Sequence, residues 1–218
     1  MRKTKMDLSN PIQSVIPSAH GAVLGVLART NEPLSGRRVA ELTAPRFGQT
    51  QVNQVLRKLA ASGIVLLESR PPSNLYRLNN DHVAAEGIEV LAHMWNTLVT
   101  RIRADLDDWS IPPEAAWLFG SAARGEATAE SDIDILLVVA DGSLEAEAIA
   151  EVWERQTEAL AEHIKAWSGN ACEILEVTKS ELAAAVERDD RLIHDLRGQA
   201  ISLAGRDPRA LLRKQVVR

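Results

Sequence analysis

From Ser18 to Thr30, the apolar residues Ala19, Ala22, Val23, Val26 and Leu27 recur at three- and four-residue spacing, which predicts an amphipathic helix. Asn31-Glu32-Pro33 breaks it, and a short helix over about 36–42 follows, with Ser35 as its N-cap and Val39 and Leu42 facing inward. A turn at 44–48 leads into a third helix over about 49–62, whose inward positions are Val52, Val55, Leu56, Leu59 and Ala60. Gly63 is placed to end that helix. Two runs of β-forming residues, 64–69 and 75–79, flank a Pro-rich turn and read as a hairpin. Residues 1–17 contain two prolines and no period, so they are expected to form a flexible arm.

Beyond the hairpin, residues 81–109 carry a long helical stripe: Val83, Ile88, Leu91, Ala92, Trp95, Leu98, Val99, Ile102 and Leu106. The pattern predicts one linking helix, which could also pair with a second copy of the chain. Pro112-Pro113 ends it. Residues 115–119 and 132–139 read as apolar strands, 144–167 as a Glu- and Ala-rich helix, and 171–177 as a further strand. Thr178-Lys179-Ser180-Glu181 has the form of a capping box opening a helix, a second helix covers 189–197, and 201–205 is a last strand.

Composition adds a division of labour. The net charge of −5 conceals a balance of +7 over residues 1–80 and −12 over residues 81–218. A basic first part suits nucleic acid as a partner. The single cysteine, Cys172, excludes an internal disulfide framework and fits a cytoplasmic location. The five histidines lie too far apart to suggest a metal site. The longest apolar run, 135–140, is far too short to span a bilayer, so no membrane role is expected.

Residues 119–138, FGSAARGEATAESDIDILLV, carry the candidate chemistry. Side chains alternate along a strand, so Asp132 and Asp134 share one face while Ile133 and Ile135 take the other. Two adjacent carboxylates repel unless a cation lies between them. Oxygen ligands of this kind suit Mg²⁺, and two such ions could serve the attacking oxygen and the leaving pyrophosphate. Gly120 and Ser121 offer backbone N–H groups and a hydroxyl for a triphosphate, and Arg124 a bidentate phosphate contact.

The string Gly120-Ser121-Ala122-Ala123-Arg124-Gly125, followed by Ser131-Asp132-Ile133-Asp134-Ile135-Leu136-Leu137-Val138, has ten residues between Gly-Ser and Asp-x-Asp. It resembles the DNA polymerase β-like nucleotidyltransferase superfamily, and specifically its minimal members, over about residues 109–207. The resemblance implies catalytic and metal-binding roles for Asp132 and Asp134, nucleotide binding by Gly120, Ser121 and Arg124, and an NTP substrate, with ATP favoured. It also implies a third acid on a later strand, usually Asp, which helps position or deprotonate the acceptor hydroxyl. Glu173 stands at that place; Glu176 is the alternative, and their opposite parity lets only one face the site. Glu173 is the preferred catalytic and metal-binding residue. In the minimal branch the resemblance implies toxin–antitoxin pairs in which AMP is added to a tyrosine of a partner toxin.

The three helices and hairpin, with the segment LRKLAASGIVLLES…LYRLN, resemble the winged helix-turn-helix domain of bacterial and archaeal regulators over residues 18–80. That resemblance implies DNA contacts from Gln49, Thr50, Gln51, Asn53, Gln54, Arg57 and Lys58 on the third helix, and from Arg70, Asn74 and Arg77 on the wing. The expected fold is therefore α+β: an arm (1–17), a winged helix-turn-helix (18–80), a linker helix (81–109) and an α/β nucleotidyltransferase domain with a small mixed sheet (110–218). The expected function is Mg²⁺-dependent transfer of an NMP, AMP favoured, to a protein or nucleic-acid hydroxyl. The alternative is a transcriptional regulator whose nucleotidyltransferase fold senses nucleotide without catalysis.

Overall fold

The computed structural model describes residues 5–71 and 73–212. They form two compact units, one of residues 10–95 and one of residues 5–9 together with 96–212.

The 10–95 unit runs α1 (Ile12–Val15), α2 (Ala19–Leu27), β1 (Leu34–Ser35), α3 (Gly36–Thr43), α4 (Gln49–Ala61), β2 (Val65–Arg70), β3 (Ser73–Leu78) and α5 (Ala85–Ala92). Its three-stranded antiparallel sheet has the order β1-β3-β2. The helical periodicity becomes one core: Val23 and Leu27 of α2, Val39 of α3, and Val52, Leu56 and Leu59 of α4 pack with Val65, Tyr76 and Leu78. Burying each large apolar side chain contributes about 1.5–3 kcal/mol. Ser35 Oγ accepts the Arg38 N–H at 3.1 Å and starts α3. Gly63 ends α4 at φ +77°, a conformation that favours glycine, and its carbonyl accepts from Asn79 Nδ2 at 2.8 Å.

The other unit holds α6 (Met94–Asp107, from Asn96 on), β4 (Ala115–Phe119), α7 (Gly120–Ala123), β5 (Ile133–Val139), α8 (Glu147–Ser168), β6 (Cys172–Thr178), α9 (Lys179–Arg188), α10 (Arg191–Gln199), β7 (Ile201–Gly205) and α11 (Pro208–Leu211). Its four-stranded sheet has the order β6-β5-β4-β7. β5 and β6 are parallel, joined through α8, whereas β4 is antiparallel to both neighbours. The chain therefore has a mixed α+β fold with two small sheets. Trp117, Leu136 and Val138 pack on one sheet face with Leu182 and Val186 of α9 and Ile193 and Leu196 of α10. Ile133, Ile135 and Leu137 have no exposure on the opposite face, so β5 is covered on both sides. The fully buried Trp117 keeps its indole N–H satisfied by donating to the Arg206 carbonyl at 2.7 Å.

Several sequence expectations change, and Leu42 and Val83, expected on apolar faces, are exposed. The single helix over 81–109 is broken at His93, where the backbone leaves helical geometry at φ −106° and ψ 17°. Its stripe is divided: Ile88 and Leu91 join the core of the 10–95 unit, while Leu98, Val99, Ile102 and Leu106 of α6 are buried separately. The arm over 1–17 is also more ordered than expected from residue 5 onward. Met6, Leu8 and Ile12 are buried, and residues 12–15 form α1. Residues 1–4 of that arm lie outside the described residues.

Candidate active site

β4 and β5 present the site at one end of their antiparallel pairing. The register places Phe119 opposite Asp134, so the Gly120 turn that follows β4 lies against the Asp134 side chain. A Cβ on Gly120 would collide with Asp134 Oδ2 and lie 3.1 Å from Cγ, and the φ of +71° independently favours glycine. Glycine here lets the Gly120-Ser121 backbone close over a carboxylate.

On the other side of β5, Glu173 of β6 is the register partner of Asp134. Glu176 is not in this group; its carboxylate accepts from Trp153 Nε1 of α8 at 2.7 Å. The parity argument thus resolves geometrically: Glu173 stands beside Asp134, and Glu176 faces α8. Asp134 is held above the ordinary carboxylate range, first by burial, then by the negative charges of Glu173 and Asp132, with Arg124 opposing. Burial and the charges of Asp134 and Glu173 also push the Cys172 thiol up to about 12, which makes it an unreactive neighbour.

Asp132, Asp134 and Glu173 offer carboxylate oxygens of the kind that a hard divalent cation takes. Among the described residues, however, no group of three or more His, Cys, Asp and Glu side chains is arranged to hold a metal ion. Asp132 Oδ1 is engaged by Lys5 Nζ at 3.0 Å. Arg124, assigned to phosphate by the sequence, instead bonds Glu126 Oε2 through Nε at 2.9 Å. That pair is largely exposed and weak enough for a polyphosphate to displace.

The residues assigned to DNA lie in the 10–95 unit. On α4, Gln49, Thr50, Gln51, Gln54, Arg57 and Lys58 are exposed and Asn53 is partly so. Gln49, Asn53 and Arg57 line a groove of about 570 Å³ shared with Asn74 and Tyr76 of the hairpin. Arg70 and Arg77 both reach Glu68, at 3.0 and 3.6 Å, so the wing cations are partly neutralised within the hairpin. Sequence reasoning missed Glu68 as their partner, Glu126 as that of Arg124, and Lys5 altogether. Glu126 and Glu68 stand within nine residues of their arginines and could have been anticipated, whereas Lys5 is 127 positions from Asp132.

Residues 99–193 match the family model for the nucleotidyltransferase domain. One solved structure similar to the chain is described as a crystal structure of a toxin-antitoxin with AMP-PNP; it is 19% identical, covers 52% of this chain and 80% of that one, and has a TM-score of 0.33. Another is human N-acetylserotonin methyltransferase in complex with SAM, 14% identical over 76% of this chain and 55% of that one, with a TM-score of 0.28. No curated protein sequence is similar enough to count as a relative. No helix among the described residues is long and apolar enough to cross a membrane.

Proposed function

We propose that the chain is a divalent-metal-dependent nucleotidyltransferase that moves an NMP, AMP favoured, from an NTP to a hydroxyl on a protein or nucleic acid, releasing pyrophosphate. The observation that carries this reading is the setting of Asp134, pressed by the Gly120 turn on one side and partnered by Glu173 on the other. Asp132, Asp134 and Glu173 would hold Mg²⁺, which when bound supplies charge stabilisation for the departing pyrophosphate. The Gly120-Ser121 turn would cradle the triphosphate, with Arg124 released from Glu126 to clamp it. Glu173 would orient the acceptor hydroxyl and take its proton.

The 10–95 unit is read as a winged helix-turn-helix that docks on DNA, with α4 in the major groove and the β2–β3 hairpin along the backbone. Support comes from the exposed polar face of α4, which includes Arg57 and Lys58. A protein partner modified at a hydroxyl, a toxin in the branch that the motif resembles, is the favoured acceptor.

The test uses ATP labelled at the α- or the γ-phosphate, Mg²⁺, and candidate acceptors including the product of the adjacent gene. Transfer of the α label alone, lost in Asp134→Asn, is the expected result. Salt-sensitive DNA binding without label transfer to any acceptor would instead favour a nucleotide-sensing regulator.

A further inference from the structure

Lys5 reaches the nucleotidyltransferase site from a segment built into that unit. The Met6 N–H donates to the Ser168 carbonyl and to Asn170 Oδ1, both at 3.0 Å. Asn170, with no exposure, returns Nδ2 to the Met6 carbonyl at 3.2 Å. The same amide nitrogen donates to the Ser131 carbonyl at 3.0 Å, one residue before Asp132. Further along, the Ser9 N–H donates to the Ala127 carbonyl at 2.9 Å, and Met6 and Leu8 are buried. One buried amide therefore fixes both the strap that carries Lys5 and the backbone that carries Asp132.

The Lys5 Nζ–Asp132 Oδ1 pair at 3.0 Å is only partly open to solvent, with side-chain exposures of 30% and 38%. An ammonium at that distance occupies the oxygen a divalent cation would use. An ammonium there and a divalent cation on the same carboxylate repel each other, since charges of the same sign at short range interact strongly outside bulk water.

We infer that Lys5 is a positioning residue of this site: a tethered monovalent cation that holds Asp132 in the carboxylate cluster and competes with divalent metal for it. The ammonium thus weakens the hold of Asp132 on a divalent cation, so the strap raises the metal concentration at which the site loads. This rests on the reading of Asp132 and Asp134 as metal ligands.

Mn²⁺ binding to the full chain, followed by the paramagnetic resonance of free Mn²⁺ at low ionic strength, tests it without any turnover. Lys5→Met is expected to bind Mn²⁺ about three- to five-fold more tightly than the parent, the scale of losing a partly exposed ion pair. Lys5→Arg keeps the charge and is expected to stay within about twofold. Asp134→Asn should remove the binding. Unchanged or weaker affinity in Lys5→Met, with Asp134-dependent binding intact, overturns the competition alone. Absence of Asp134-dependent Mn²⁺ binding in every variant overturns the metal-site reading and the inference with it.

Discussion

At the scale of single residues, Asp134 concentrates the tension between stability and chemistry. Its proton affinity is raised by burial and by Glu173 and Asp132. A carboxyl whose folded pKa lies above its unfolded one stabilises the fold at low pH, and that contribution is lost as pH rises through the folded pKa. Asp134→Asn should therefore raise the melting temperature of chelator-treated protein at pH 8, by about 2 °C, with a smaller gain at pH 5. If Asp134 ligates metal as proposed, the same change should lower nucleotidyl transfer about 100-fold or more, because a metal ligand is a stricter requirement than the outer-shell groups that support it. Glu173 and Glu176 separate by face. Glu173→Gln should cost about 100-fold in transfer, the lower range for a lost general base. Glu176→Gln keeps a hydrogen-bond acceptor for Trp153 and should leave the rate within about twofold; similar losses in both would defeat the assignment.

At the scale of elements, the parallel β5–β6 pairing brings a carboxylate from each strand together, and the β4–β5 register adds the glycine turn. The turn after α8 contributes Asn170, which binds backbone from two distant segments. Asn170→Ala leaves the carbonyls of Met6 and Ser131 without that donor. The expected cost is about 2 kcal/mol, the scale of buried polar groups losing partners, measured by denaturant unfolding. Release of residues 5–9 should accompany it, seen as faster amide exchange at Met6 and Ser9 than in the parent. A thermal and exchange profile identical to the parent's would show that the strap is held some other way.

At the scale of the whole molecule, charge is divided between two stretches of sequence, +7 over 1–80 and −12 over 81–218. If the basic part meets DNA and the acidic part transfers nucleotides, the two activities respond to different substitutions. Arg57→Ala with Lys58→Ala should weaken DNA binding and lower the slope of log affinity against log salt by about 2, while nucleotidyl transfer to a protein acceptor stays within about twofold. Asp134→Asn should do the reverse. Loss of both activities in either variant would show that the two jobs are not separable.

Much of the candidate site's geometry was legible before folding was considered. Period-two alternation put Asp132 and Asp134 on one face and set Glu173 against Glu176, because parity along a strand is a local property. The Gly63 helix end, the Ser35 cap and the Thr178 capping box were legible for the same reason, each being settled within a few residues. The break at His93 was not, since the 81–109 stripe reads as one helix until two separate cores claim its halves. Nor did spacing choose between the two glutamates; the β5–β6 register and the Trp153 hydrogen bond did. Lys5 was beyond any sequence pattern, because an ion pair across 127 positions leaves no period and only the folded chain brings its two ends within 3.0 Å.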